Sequence, residues 1–139
     1  DLEILKSIMG ASGSINNYVY LSCPNKTDDH VNQLKMKIKD LNGIISPEVS
    51  NNDLYNYISQ VNYVIVCLFA DTIRDRNQII EINYALELQK KIIFICMDSN
   101  YTLSTYPSLR GLIKNNHNIN CCSIDCIDMT CEEIKRIVT

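Results

Sequence analysis

Two hydrophobic periods alternate along this chain. Residues 18–23 (YVYLSC) are apolar at nearly every position, the pattern of a short interior strand. In the segment that follows (HVNQLKMKIKDLNG), Val31, Leu34, Ile38 and Leu41 recur at helical spacing, with Asp28 and Asp29 as cap-like carboxylates before it and Gly43 as a stop. The alternation then repeats. IIS at 44–46 reads as a second strand, Pro47 as loop, about 51–60 as a helix and YVIVCLF at 63–69 as a third strand. The spacing predicts a central helix over 76–89, a fourth strand at 91–97 (KIIFICM), a short helix in SLRGLIKNN and a fifth strand over about 119–124. A last helix falls in TCEEIKRIVT, where Thr130 and Glu133 have capping-box spacing.

Strands that alternate with helices need crossovers, and right-handed crossovers build a parallel sheet covered on both faces. The expected architecture is a flavodoxin-like three-layer sandwich with a five-stranded parallel sheet in the order 2-1-3-4-5, formed by residues 18–139 after a lead-in segment, 1–17. In that order the ligand crevice lies outside the C-terminal ends of strands 1 and 3. The segments placed there are SCPNKTDD, residues 22–29, and FADTIRDRNQIIE, residues 69–81. Both are polar and long enough to shape a pocket. Neither has the glycine-rich fingerprint of a dinucleotide fold or a P-loop.

Composition narrows the partners. A chain of 139 residues, 46% hydrophobic and 21% charged, is near the usual size of one globular domain and needs no metal or disulfide to build its core. A net charge of −3 gives no dominant basic surface, which argues against nucleic acid; Lys35, Lys37 and Lys39 read as a solvated helix face, with a patch for a phosphate or an acidic partner as the alternative. No apolar run is long enough to cross a bilayer, and no cleavable signal pattern is present, so membrane insertion is not expected. Cys23, Cys67 and Cys96 lie in or at the ends of apolar strand-like runs, where a free thiol acts as a small hydrophobe, and Cys121, Cys122, Cys126 and Cys131 lack paired Cys-x2-Cys hooks. A reducing, cytoplasmic setting without a bound metal is the simplest account.

Within the crevice segments one residue stands out. Glu81 is an acid between two isoleucines, about one turn inside an otherwise greasy helix. On a helical wheel Ile79, Ile82 and Leu86 face the sheet, while Asn77, Gln78, Glu81 and Ala85 form a neighbouring strip. A glutamate there is either a solvated residue favoured near a positive helix end or a group at the crevice rim. Ser22 and Cys23 leave strand 1 beside it; Lys26 is either a diphosphate contact or a solvated loop lysine, and Asn77 either orients a sugar or caps the helix. Tyr101 and Tyr106, in the loop after strand 4, are base contacts or exposed turn residues, and His30 is a surface or assembly residue.

The pieces YVYLSCPNKTDDHVNQLKMKIKDLNG (18–43), ISQVNYVIVCLFAD (58–71) and EINYALELQKKIIFI (81–95) together resemble a TIR domain (Toll/interleukin-1 receptor homology), over about residues 18–135. They correspond to that family's opening strand and helix, its third strand, and its glutamate-bearing helix with the strand after it. Many NAD-cleaving members use the glutamate of a Ser-x-x-Cys-x-x-Glu-like segment. In that register this chain has Asp75, Gln78 and Glu81, keeping the glutamate and changing the other two. Ser22-Cys23-Pro24 stands where Tyr-Ser is common, and the second loop, 44–53, is compact.

The resemblance implies Glu81 as the catalytic residue for cleaving the nicotinamide–ribose bond, with Ser22, Cys23, Lys26 and Asn77 around the nucleotide. NAD is then a substrate and no separate cofactor is needed. The products are nicotinamide and ADP-ribose, or a cyclic or related signalling nucleotide. It also implies homotypic contacts between copies. The alternatives are a non-enzymatic signalling module that assembles through protein contacts, and a sensor of an NAD-derived nucleotide.

Overall fold

A computed structural model describes residues 18–24, 28–41, 43–45, 50, 52–69, 72, 75–98 and 110–138. The lead-in segment, Lys26, Pro47 and the loop carrying Tyr101 and Tyr106 lie outside the described residues. The strands are β1 (Val19–Ser22), β2 (Gly43–Ile45), β3 (Tyr63–Leu68), β4 (Lys91–Cys96) and β5 (His117–Asn120). The helices are α1 (Asp29–Asp40), α2 (Leu54–Gln60), α3 (Arg76–Glu87), α4 (Arg110–Lys114) and α5 (Ile127–Val138). All neighbouring strands pair in parallel, in the order β2-β1-β3-β4-β5. This is the flavodoxin-like three-layer sandwich that the alternating periods predict.

The interior strands are apolar on both faces because both faces are covered. Val19, Leu21, Ile65, Cys67, Ile93 and Ile95 point to one core, where Val31, Leu34 and Ile38 of α1 meet Cys131, Ile134 and Val138 of α5. Tyr20, Val64, Val66, Leu68, Ile92 and Phe94 point to the other, under Tyr57 and Ile58 of α2, Ile82 and Ala85 of α3 and Ile113 of α4. All seven cysteines are free thiols, and Cys23, Cys67 and Cys121 are buried together in the first core. The neighbouring Cys23 and then burial raise the Cys67 thiol pKa, and burial raises that of Cys121. Among the described residues no helix is long and apolar enough to cross a membrane.

Several boundaries differ from the sequence-based expectation. Gly43 does not stop α1, which ends at Asp40 with Leu41 as its C-cap; it opens β2 instead. A Cβ there would lie 2.5 Å from the Ile38 carbonyl oxygen and closer still to Ile38 Cγ2, so only glycine lets β2 pass so near the end of α1. Asp28 occupies the N-cap position of α1, but its side chain makes no capping bond. β5 begins earlier than expected because its sequence, HNIN, is mostly exposed and has only Ile119 as an apolar residue. Its place comes from the backbone ladder to β4, in register from Ile93↔His117 to Cys96↔Asn120. α5 starts at Ile127 after a 3-10 turn (Ile124–Cys126), which puts Thr130 inside the helix, buried, and rules out the capping box. His30 is not a plain surface residue: its Nε2 lies 3.1 Å from the Met97 carbonyl oxygen and ties α1 to the exit of β4.

Candidate functional site

α3 begins where β1 and β3 end. Its N-cap is Asp75, whose Oδ1 accepts a 3.0 Å bond from the Gln78 backbone N–H and satisfies one of the orphan donors of the first turn. Upstream, Thr72 is fully buried and its Oγ1 accepts from the Phe69 N–H at 2.8 Å, which closes the exit of β3.

The first turn of α3 is clamped to the sheet through Gln78. Its Nε2 donates to the Ser22 carbonyl at 3.1 Å and to the Cys67 carbonyl at 2.7 Å, bridging the adjacent C-terminal ends of β1 and β3. One turn further along, Glu81 reaches the same place. The Ser22 hydroxyl donates to Glu81 Oε1 at 3.1 Å. Gln78 and Glu81 are only 1% and 2% exposed, so both turn toward the sheet and not along its flank. The wheel drawn from the sequence is therefore rotated. Leu86, expected against the sheet, is 45% exposed, whereas Gln78, Glu81, Ile82 and Ala85 form the buried stripe.

This burial leaves polar atoms without full satisfaction. The Tyr20 hydroxyl, Gln78 Oε1 and Glu81 Oε2 are all buried and lack a well-formed hydrogen bond. Tyr20 precedes Ser22 by two residues, so both side chains face α3, and the Tyr20 hydroxyl couples to the Glu81 carboxylate. Burial pushes the Glu81 pKa up to about 7; the Tyr20 and Ser22 hydroxyls pull it back down, and Asp75 adds a small upward push. Burial also holds the Tyr20 hydroxyl well above its ordinary pKa, and the nearby carboxylate adds to the effect. Each apolar side chain buried beside them contributes about 1.5–3 kcal/mol, so Ile82 and Ala85 together help offset the burial of the carboxylate.

Of the residues picked from the sequence, the fold brings Ser22 and Glu81 together. Cys23 is buried in the opposite core, with its thiol toward the Pro24 carbonyl at 3.5 Å, so its side chain does not join them. Asn77 is exposed on the first turn of α3, and Asp75 takes the cap. Sequence reasoning missed Tyr20 and the inward role of Gln78. The period-2 relation of Tyr20 to Ser22 and the i, i+3 relation of Gln78 to Glu81 are the signals that point to them.

A buried carboxylate that accepts from the Ser22 hydroxyl and lies beside the Tyr20 hydroxyl suits stabilisation of a nearby developing positive charge. A single carboxylate of this kind does not make the acid–base pair of an ordinary glycoside hydrolase. No protein-family model and no curated protein matches the chain. Among solved structures, the CMP N-glycosidase BcmB of Clostridium botulinum is similar at 18% identity, over 88% of this chain and 99% of that one, with a TM-score of 0.52. A de novo designed Rossmann 2x3 fold protein is similar at 14% identity, over 88% and 90% of the two chains, with a TM-score of 0.54. A designed protein matches as well as a natural enzyme, so the likeness establishes a shared α/β architecture and leaves the chemistry to be argued from the site.

Proposed function

We propose that this chain is a TIR-like N-glycosidase that cleaves the bond between ribose C1′ and a nitrogenous base, with NAD as its leading substrate. The reading rests on one observation above all: Glu81, tied to Ser22, is buried at the C-terminal ends of β1 and β3 with one carboxylate oxygen unpartnered. In NAD the leaving nicotinamide is cationic before cleavage. When the C1′–N bond breaks, its electron pair neutralises the pyridinium ring, so no general acid is required. The positive charge moves to the ribose, where an ionised Glu81 stabilises it. Water adds its oxygen to C1′ and releases a proton, giving nicotinamide and ADP-ribose; attack by an adenine nitrogen instead gives a cyclic product.

Two supports stand beside the geometry. The segments 18–43, 58–71 and 81–95 resemble the TIR pattern, and one natural fold neighbour is a CMP N-glycosidase, which breaks a bond of the same class. That neighbour also motivates a nucleoside monophosphate as the competing substrate. A non-enzymatic assembly module is favoured by the structural duties of Asp75 and Gln78, which cap and clamp α3 at the two positions where the family pattern differs.

The test is product analysis. Parent protein and Glu81→Gln, each confirmed folded, are incubated with NAD and separately with CMP over a range of protein concentrations, and free base is resolved chromatographically. Nicotinamide release that falls about 100-fold in E81Q is expected. Equal turnover by the two proteins overturns the role of Glu81. Cytosine release without nicotinamide release moves the substrate to the mononucleotide, and no release at any concentration favours the assembly module.

A further inference from the structure

β4 and β5 end side by side, and each carries a cysteine at or just past its end. Cys96 is the last residue of β4 and pairs in register with Asn120, the last residue of β5. The ladder continues one bond further, because the Cys121 N–H donates to the Cys96 carbonyl at 2.8 Å and keeps the departing chain against β4. Cys121 is buried in the first core. Cys122 is exposed, and its Sγ lies 3.5 Å from the same Cys96 carbonyl oxygen. The Cys96 side chain is half-buried beside it, with its thiol toward the Asp98 carbonyl at 3.4 Å. Residues 121 and 122 belong to no helix or strand, so a small shift of that segment is enough to bring the two sulfurs together.

From this arrangement we infer that Cys96 and Cys122 are a reversible dithiol pair, oxidised to a disulfide by a hydroperoxide, that locks the end of β4 to the chain entering α5. The other thiols suit this chemistry less well. Cys23, Cys67, Cys121 and Cys131 are buried, and half-buried Cys126 lies 3.7 Å from the Ser123 hydroxyl. Peroxide reaches exposed thiolates first, which assigns the first attack to Cys122. Its sulfur bonds to one peroxide oxygen, the O–O bond breaks, and the thiol proton leaves with the other oxygen as water. The Cys96 sulfur then attacks the Cys122 sulfenic acid, and the hydroxyl group departs with the Cys96 proton as a second water. Two thiols lose two electrons in all, and one peroxide is reduced to two waters. Burial pushes the Cys96 pKa up to about 11, and the adjacent Cys122 adds to that rise, so Cys96 keeps its proton until the second step. The pair lies two strands from Ser22, and the inference rests on neither the N-glycosidase reading nor its substrate.

The experiment treats the folded chain with hydrogen peroxide, alkylates the remaining thiols, and maps linked peptides by mass spectrometry with fragmentation to assign each cysteine. A Cys96–Cys122 link that dithiothreitol reverses is expected. The link closes a loop across 26 positions, so the oxidised protein should melt roughly 5–10 °C higher. Cys122→Ser should abolish both the link and the shift, and Cys96→Ser should leave a Cys122 sulfenic acid that dimedone traps. Because the parent map needs no substitution, it decides the pairing even where a variant folds poorly. Thiols that all remain alkylatable, a dominant link between other cysteines, or a dimer joined through Cys122 overturns the pair. A confirmed link with an unchanged melting temperature overturns the lock, and a C96S protein whose Cys122 escapes dimedone overturns the order of attack.

Discussion

The Ser22 hydroxyl donates a 3.1 Å hydrogen bond to Glu81 Oε1, joining the last residue of β1 to the second turn of α3 across 59 positions of sequence. The bond favours the ionised carboxylate, against a burial that favours the neutral acid. The balance between the two controls the charge state of the site near neutrality.

If ionised Glu81 is the catalytic form, kcat/KM for NAD should rise with pH through about 7 and fall to about a tenth of its plateau one unit below. Ser22→Ala removes a group that lowers the Glu81 pKa, so the rising limb should move to higher pH. A flat profile from pH 5 to 9 in both proteins would contradict a carboxylate mechanism.

The same group makes stability depend on pH. Its folded pKa of about 7 lies above the ordinary value of 4.5, so the native state holds a proton that the unfolded chain has released. The contribution is fully present below about 4.5 and is lost as pH rises to about 7, a difference of roughly 3 kcal/mol at most. E81Q carries no such ionisation. Its urea midpoint should lie near the parent's at pH 4.5 and above it at pH 8, and a variant with the parent's pH dependence would show that Glu81 is not buried in solution.

Gln78 is a strand clamp, so Gln78→Leu should leave the Ser22 and Cys67 carbonyls without their side-chain donor. A loss of about 1–3 kcal/mol in urea unfolding is expected. Hydrogen exchange should quicken at the C-terminal ends of β1 and β3 more than in α5. Uniform exchange changes across the chain would speak against a local clamp.

Gln89 is the one non-glycine residue with positive φ among the described residues, at 55°. It closes α3 in a Schellman arrangement, with its N–H on the Leu86 carbonyl and the Lys90 N–H on the Ala85 carbonyl at 2.8 Å. Glycine fits that backbone without the Cβ penalty, so Gln89→Gly should stabilise the protein by about 1 kcal/mol and raise its melting temperature. A lower melting temperature would mean that the glutamine side chain makes an offsetting contribution.

The alternation of apolar strands with amphipathic helices was enough to specify the layers and the strand order, because each signal is local and repeats along the chain. The runs 18–23, 63–69 and 91–97 carry their two-sided burial in composition alone. The same reasoning places Glu81 on the helix that starts at the C-terminal ends of β1 and β3. What the chain does not show locally, the tertiary structure decided. HNIN became a strand through backbone pairing with β4, which no side-chain pattern announces. Gly43 was required by the approach of β2 to Ile38, a contact between elements that spacing cannot foresee. The rotation of α3 that turned Gln78 and Glu81 inward and Leu86 outward was set by the clamp on the Ser22 and Cys67 carbonyls and by packing against β1 and β3. A helical period defines a stripe only to within a turn of the wheel, and contact with a second element selects the face that is buried.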